Sequence, residues 1–543
     1  MIDHEPYPSE ANAPVGLLEH EPAPIESAGI LDDASPSREA AETTPAPAAA
    51  PVPLASDSLA EGMMLLAVLT VVQRLVGFVR SILFCRWLSE DALGQWDLAF
   101  GFFILAAPLA VLGLPGSFGR YVERFRQAGQ LAGMIKGTML VTACLTVAAS
   151  LAIGLAPGWF AEVVFNHAEQ APLMQLVGLG LVAVIGFNFL VELVTGLRQV
   201  RVASAMQFAN GILFATCGLG LILLTGNGAA AVVGGYALAC GITAVGTTIW
   251  LSGQWNQLPA DERSLDWSEL ATTLLPFAIW VWMTNLLANT FDLVDRYMIV
   301  HLSSLEASAA EGIVGQYHAA RVLPQLLVQL AGMIGGMLLP YLSQDWEKGN
   351  IGVVSRRVNL AVKIGSLLLT LAGAGILILA PLLFDGIYQG RYALGYAVLP
   401  TTLVSCSWGA LSLLAMNFLW CAERARLSSF AFLVGIVLNA VLNYYLFPIW
   451  GLPGVVLATA LGNGASLLML LMLGMPLGLS IPRGTWLLIG LPMALAAGWI
   501  GGLSAVAVAG FVLWKTDWLL DDEERTELLG AARGALKKVG FVV

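Results

Sequence analysis

From Ser58 onward the chain is a succession of fourteen apolar runs, near 59–84, 96–118, 137–160, 172–196, 205–225, 229–252, 270–296, 313–341, 358–384, 396–420, 427–447, 452–475, 485–499 and 502–515. Most are long enough to cross the roughly 30 Å hydrocarbon layer of a bilayer as helices. In hydrocarbon every backbone amide needs a partner, so such a chain builds helices and leaves no open sheet edge. The charged fraction is 12 %, roughly half that of soluble domains. The expected fold is an all-α polytopic membrane protein with about fourteen transmembrane helices. The last two runs are short and contiguous, so a re-entrant pair broken at Gly501-Gly502 stands beside two full crossings.

Charge is unevenly placed. Residues 1–61 carry twelve acids and one base, Arg38, which together make the whole net charge of −11. Residues 1–57, rich in Pro and Ala, lack hydrophobic periodicity and read as a disordered acidic cytoplasmic tail. Residues 58–252 hold six spans and 270–475 hold six more, followed by an extra helix pair at 485–515 and an amphipathic cytoplasmic tail at 516–543. Six cysteines sit in or beside apolar segments without ligand spacing, so neither a disulfide framework nor a metal site is expected. Nucleotide-binding, zincin and nucleophile-elbow patterns are absent, and no outer loop is long enough to house a catalytic site. The expectation is a non-enzyme without catalytic residues, cofactor or nucleic-acid partner.

Lys and Arg set the expected orientation. With the N-terminus inside, nineteen bases fall on inner loops and the C-terminal tail, against Arg86, Arg296 and Arg391 outside. This asymmetry places both termini in the cytoplasm. An internal repeat adds a second constraint. Gly94-Gln95-Trp96-Asp97-Leu98-Ala99 opens the second span, and Gly315-Gln316-Tyr317-His318-Ala319-Ala320 opens the eighth. Asn188-Phe189-Leu190 in the fourth span returns as Asn417-Phe418-Leu419 in the tenth. Near-equal offsets at equivalent spans predict two parallel six-helix lobes with a substrate pathway between them, and hence transport.

Ionisable groups at membrane depth are costly and face a cavity or a partner. Arg74 lies deep in the first span on one stripe with Thr70, Gly77 and Ser81, and Arg80 follows further out. The seventh span places Asn285, Asn289, Asp292 and Arg296 on one face, with Asp295 beside it. Asp292 and Arg296 are spaced to pair with each other; the alternative is ion coupling or gating. Tyr317, Arg321, Gln325 and Gln329 recur every four residues along the eighth span, where Pro324 predicts a bend. Asn439 and Asn443 repeat that spacing and read as helix-to-helix glue. The first six spans read as free of acids near mid-membrane, so the cavity is expected to be cationic and to suit a diphosphate.

Arg74-Leu-Val-Gly77-Phe-Val-Arg80, Gly94-Gln95-Trp96 and Arg120-Tyr-Val-Glu-Arg-Phe-Arg-Gln-Ala-Gly129 resemble the start of Wzx-type polysaccharide flippases, members of the multidrug/oligosaccharidyl-lipid/polysaccharide exporter superfamily. The segments Gly315–Ala320 and Trp450–Thr459 resemble recurring signatures of the same family. The resemblance implies two lobes, alternating access, and flipping of an undecaprenyl-diphosphate-linked oligosaccharide in the bacterial plasma membrane. It also implies a lipid-linked glycan substrate, a bilayer, and a polysaccharide polymerase and export machinery as partners to a monomeric carrier. On this view Arg74, Arg80 and Arg321 hold the diphosphate, and Gln325, Gln329, Asn285 and Asn289 contact sugar hydroxyls. Asp292, Asp295 and Arg296 bind a coupling cation or latch the gate. The RxxGFxR pattern also resembles the lipid II flippase branch, so a lipid II or drug exporter of the same fold is an alternative; a non-transporting membrane scaffold is another.

Overall fold

The structure, a computed structural model, describes residues 59–226, 228–255, 267–516, 518–520 and 524–526. The acidic tail and nearly all of the C-terminal tail therefore lie outside the described residues. So do the side chains at 59–71 and at several positions between 267 and 302, Asn285, Asn289 and Asp292 among them.

The first lobe runs through α1 (Leu59–Trp87), α2 (Glu90–Ala110), α3 (Phe118–Gln127), α4 (Leu131–Leu155), α5 (Pro157–Phe165), α6 (Ala171–Gly196), α7 (Val200–Thr225) and α8 (Gly228–Gln254). The second runs through α9 (Trp267–Leu302), α10 (Ala307–Arg321), α11 (Pro324–Glu347), α12 (Ile351–Pro381), α13 (Ala393–Cys421), α14 (Ala425–Trp450) and α15 (Leu452–Gly474). Two short helices, α16 (Arg483–Ile489) and α17 (Gly498–Lys515), follow. Among the described residues eleven segments are long and apolar enough to cross a membrane; α1 and α9 add helices of 29 and 36 residues.

Local sequence explains the joints. Gly226 and Gly451 take positive φ at the ends of α7 and α14, where a Cβ would be strained. Pro453 then opens α15, its missing N–H costing nothing in the first turn. Hydroxyls on lipid-exposed or packed helix faces bond back to their own helix: Thr146 donates to the Thr142 carbonyl at 2.7 Å and Thr247 to that of Thr243 at 2.9 Å. Small residues let helices touch, as where a Cβ on Gly235 would lie 2.5 Å from Gly218 Cα and one on Gly462 2.8 Å from the Gly435 carbonyl. The same device joins the last two helices of each lobe.

Three details differ from the sequence reading. The span expected at 313–341 is two helices, because α10 ends at Arg321 and Pro324 starts α11. Short helices α3 and α5 occupy connections read as loops; α3 is amphipathic, with Phe118, Val122 and Phe125 buried and Arg120 on the other face. The extra pair breaks at Gly498 (φ +84°), not at Gly501-Gly502. It is a hairpin laid along α12: Thr485 donates to Asn359 at 2.8 Å, Trp408 donates to the Ile489 carbonyl at 2.9 Å, and Leu495 packs on Gly373. The chain then returns, so that a Cβ on Gly484 would meet Leu519, and Lys363 pairs with Glu524 at 2.7 Å. Both ends of the pair lie on one side, the arrangement of a helical hairpin.

Candidate functional site

The two copies of the internal repeat pack against each other. A Cβ on Gly94 would overlap the Glu311 carbonyl, and one on Gly315 would overlap the Glu90 carbonyl. Glu90 and Glu311 are themselves separated by the same offset as Gly94 and Gly315. The α2–α10 crossing is thus two-fold symmetric, and only glycine at both positions lets the backbones meet. The inter-lobe hydrogen bonds gather at this same end. Gln95 donates to Glu311 at 2.8 Å, His167 meets Glu311 at 2.9 Å, and Asn166 donates to the Val300 carbonyl at 3.3 Å. Arg391 donates to the Leu88 carbonyl at 3.1 Å and to that of Arg86, capping the last turn of α1, while Tyr392 donates to the Cys85 carbonyl at 2.9 Å.

Away from the crossing, the lobes part around a cavity of about 400 Å³. Its lining comes from both lobes: Gln73, Arg74, Gly77, Arg80 and Ser81 of α1, Asp97 and Phe100 of α2, Arg296 of α9, His318 and Arg321 of α10, and Gln325 and Gln329 of α11. Arg74, Arg80, Arg296, Arg321, Gln325 and Gln329, singled out from sequence, thus share one wall-to-wall space. Arg80 lies over the Phe214 ring, 4.0 Å from its centroid, and Arg321 over that of Tyr317 at 5.2 Å. An aromatic face holds a guanidinium without drawing on the donors at its edge.

The other expectations are placed differently. Tyr317 does not line the cavity: one turn before Arg321 on the same helix, it is buried, with its hydroxyl turned to Asp295. Asp295 does not line the cavity. Its carboxylate is 1 % exposed and accepts from Tyr317 at 2.7 Å, Asn439 at 3.0 Å, Asn443 at 2.8 Å and Thr459 at 2.6 Å. Asn439 and Asn443 are therefore partners of a buried acid. Arg296 pairs across the lobes with Asp97, its Nε 2.8 Å from Oδ2. Asn285, Asn289 and Asp292 stand on α9, their side chains outside the described residues.

Asp97 corrects the reading of the first six spans as free of membrane-depth acids. It is 2 % exposed, lines the cavity, and also meets His318 Nδ1 at 2.7 Å. A signal was present: Asp97 and His318 occupy equivalent places in the repeat, and equivalent residues meet where a two-fold axis passes.

Comparison with known proteins agrees with this geometry. A family model described as "polysaccharide biosynthesis protein" matches residues 59–346, just over half of the chain. The lipid II flippase MurJ of Bacillus subtilis (strain 168) is 23 % identical over 449 residues, covering 76 % of this chain and 82 % of that one. Among solved structures, lipid II flippase MurJ in an inward closed conformation superposes with a TM-score of 0.63 at 14 % identity, over 83 % of this chain and 99 % of that chain. An inward-facing multidrug resistance MATE family transporter gives the same TM-score and identity over 74 % and 94 % of the two chains. With two lobes joined as in those folds and the family match across the first ten helices and most of α11, the chain belongs to the polysaccharide biosynthesis protein family, as a Wzx-like member of the multidrug/oligosaccharidyl-lipid/polysaccharide exporter superfamily.

Proposed function

We propose that this membrane transporter flips an undecaprenyl-diphosphate-linked oligosaccharide from the inner to the outer leaflet of a bacterial plasma membrane by alternating access. The observation that carries the reading is the cavity between the lobes, to which, among the described residues, four arginines contribute against one carboxylate. Arginine forks match phosphate oxygens bidentately, so Arg74, Arg80 and Arg321 are the proposed diphosphate ligands. Gln325 and Gln329, one and two turns further along α11, are placed for sugar hydroxyls, and Asn285 and Asn289 are assigned the same role from their spacing. Asp292, Asp295 and Arg296 are assigned to coupling or gating; for Asp295 the support is its buried cage of amide and hydroxyl groups. The expected orientation puts the tight α2–α10 end outside and opens the cavity inward, with both termini cytoplasmic. A polymerase and export machinery would receive the product from a monomeric carrier.

The similarity to a lipid II flippase supports a second reading, in which the cargo is lipid II. Both cargoes carry the same diphosphate, so the arginines do not discriminate between them. The deciding experiment measures lipid-linked intermediates in the inner leaflet of a deletion strain. Accumulated lipid-linked oligosaccharide supports the first reading and accumulated lipid II the second. Accumulation of neither refutes both.

A further inference from the structure

We propose that Asp97 is an internal counter-anion, a tie between the lobes that an incoming diphosphate displaces. The inference rests on the diphosphate reading above and adds how binding would open the tight end.

Asp97 belongs to the first lobe, and both of its described partners belong to the second: Arg296 on α9 and His318 on α10. It is the sole carboxylate among the described lining residues of the cavity, so it stands where the substrate's own negative charge would go. The contact with Arg296 is close, yet Arg296 Nε and Asp97 Oδ2 lack hydrogen-bond alignment in it. An aligned phosphate oxygen would therefore be the better acceptor. The approach is built in by Gly101, one turn along α2, where a Cβ would lie 2.5 Å from Leu293 Cδ2 and 3.6 Å from Arg296 Nη1. A larger residue there would have to displace the Leu293 side chain on α9, the helix that carries Arg296.

The empty carrier then keeps its lobes drawn together by Asp97, beside the Gly94–Gly315 crossing. A bound diphosphate takes over Arg296 and Arg321, Asp97 loses its cations, and the crossing is free to part. Substrate loading and gate release become one event. A ligand shifts a two-state equilibrium only by its differential affinity for the states, and Asp97 supplies that difference.

The test uses the full chain in lipid nanodiscs, spin-labelled at Ser89→Cys and Ser304→Cys, one on each lobe at the tight end, with Cys144 replaced by Ser. Geranylgeranyl diphosphate is the probe. In the parent protein the probe should lengthen the label-to-label distance. Asp97→Asn should show the long distance without any probe and bind it about tenfold more tightly, because no internal anion competes. If Asp97→Asn does not fold, His318→Gln should give the same lengthening in part. A folded variant with the parent distance distribution and the parent affinity would overturn the tie. Failure of the parent protein to bind the probe would refute the diphosphate reading, while unprompted opening in Asp97→Asn would still stand as evidence for the tie.

Discussion

The two lobes carry opposite chemistry at the same place. Trp96, Phe214 and Tyr236 in the first lobe correspond to Tyr317, Asn439 and Thr459 in the second, each pair at nearly the offset of the glycine repeat. In the first lobe these side chains form an aromatic nest, with Trp96–Phe214 centroids 5.4 Å apart and Phe214–Tyr236 centroids 5.0 Å apart, roofed by the Arg80 guanidinium. In the second they form a polar cage closed on the Asp295 carboxylate. One fold thus stabilises a cation by ring faces and an anion by amide and hydroxyl donors. The repeat keeps the backbone geometry, seen at Gly94 and Gly315, while each lobe's core is free to specialise. The cation is left facing the cavity and the anion is sealed from it, so the aromatic lobe offers charge to a ligand and the polar lobe keeps its charge for itself.

The largest effect should come from Asp295→Ala. It removes the acceptor shared by four buried donors, of which Asn439, Asn443 and Thr459 keep a second acceptor and Tyr317 loses the one described for it. A buried donor left unsatisfied costs about 1–3 kcal/mol, and the amides and hydroxyl also lose their charged partner. At least ~3 kcal/mol of lost stability and low abundance are expected, read by thermal unfolding in detergent. An unchanged melting temperature would show that the cage does not depend on its acid.

Next come Gly94→Ala and Gly315→Ala, which attack the feature the lobes share. Overpacking of this kind costs about 1–3 kcal/mol. Here the cost falls on the closed crossing, so export should drop more than abundance does. The two substitutions should act alike. A strong effect from one alone would break the symmetry argument.

Arg321→Ala and Arg74→Ala should reduce export severely at near-normal abundance, since a charged hydrogen bond contributes roughly 1.5–3 kcal/mol, or about ten- to a hundredfold in binding. Replacement by Lys keeps the charge and loses the fork, and should leave partial activity. If activity and thermal stability fell in step, these arginines would be structural.

The smallest effect is expected from Phe214→Leu, which removes the ring beneath Arg80. A cation–π contact of this type is worth about 0.5–2 kcal/mol. Probe affinity should weaken severalfold, with Arg321 still in place. The comparison sharpens further if Tyr317→Leu weakens affinity similarly but also costs stability, because Tyr317 alone among the two also serves Asp295.

What was legible in the sequence follows from period and composition. Apolar runs bounded by turn residues mark helices whose backbone bonds are all local, and Pro324 announces the break after Arg321. Gln325 with Gln329, and Arg74 with Gly77, survive as cavity lining because helical spacing by itself puts such residues on one face, whereas Arg321 reaches the same cavity from across the break at Val322. The repeated Gly-Gln-aromatic hexapeptide likewise marked equivalent helices. What local pattern does not hold is which face meets which. Asp97 looked like a minor member of a repeat until α2 crossed α10 and brought its equivalent, His318, within 2.7 Å. Arg296 meets Asp97 of the other lobe because α9 passes close to α2 at Gly101, an approach that no local pattern announces. Asp295, Asn439, Asn443 and Thr459 come from three helices, α9, α14 and α15, the first far from the other two along the chain. Helix and repeat are decided over a few turns of chain, where neighbours in sequence are neighbours in space. The pairing of buried charges is decided by how helices from distant segments cross, and that is settled by packing alone.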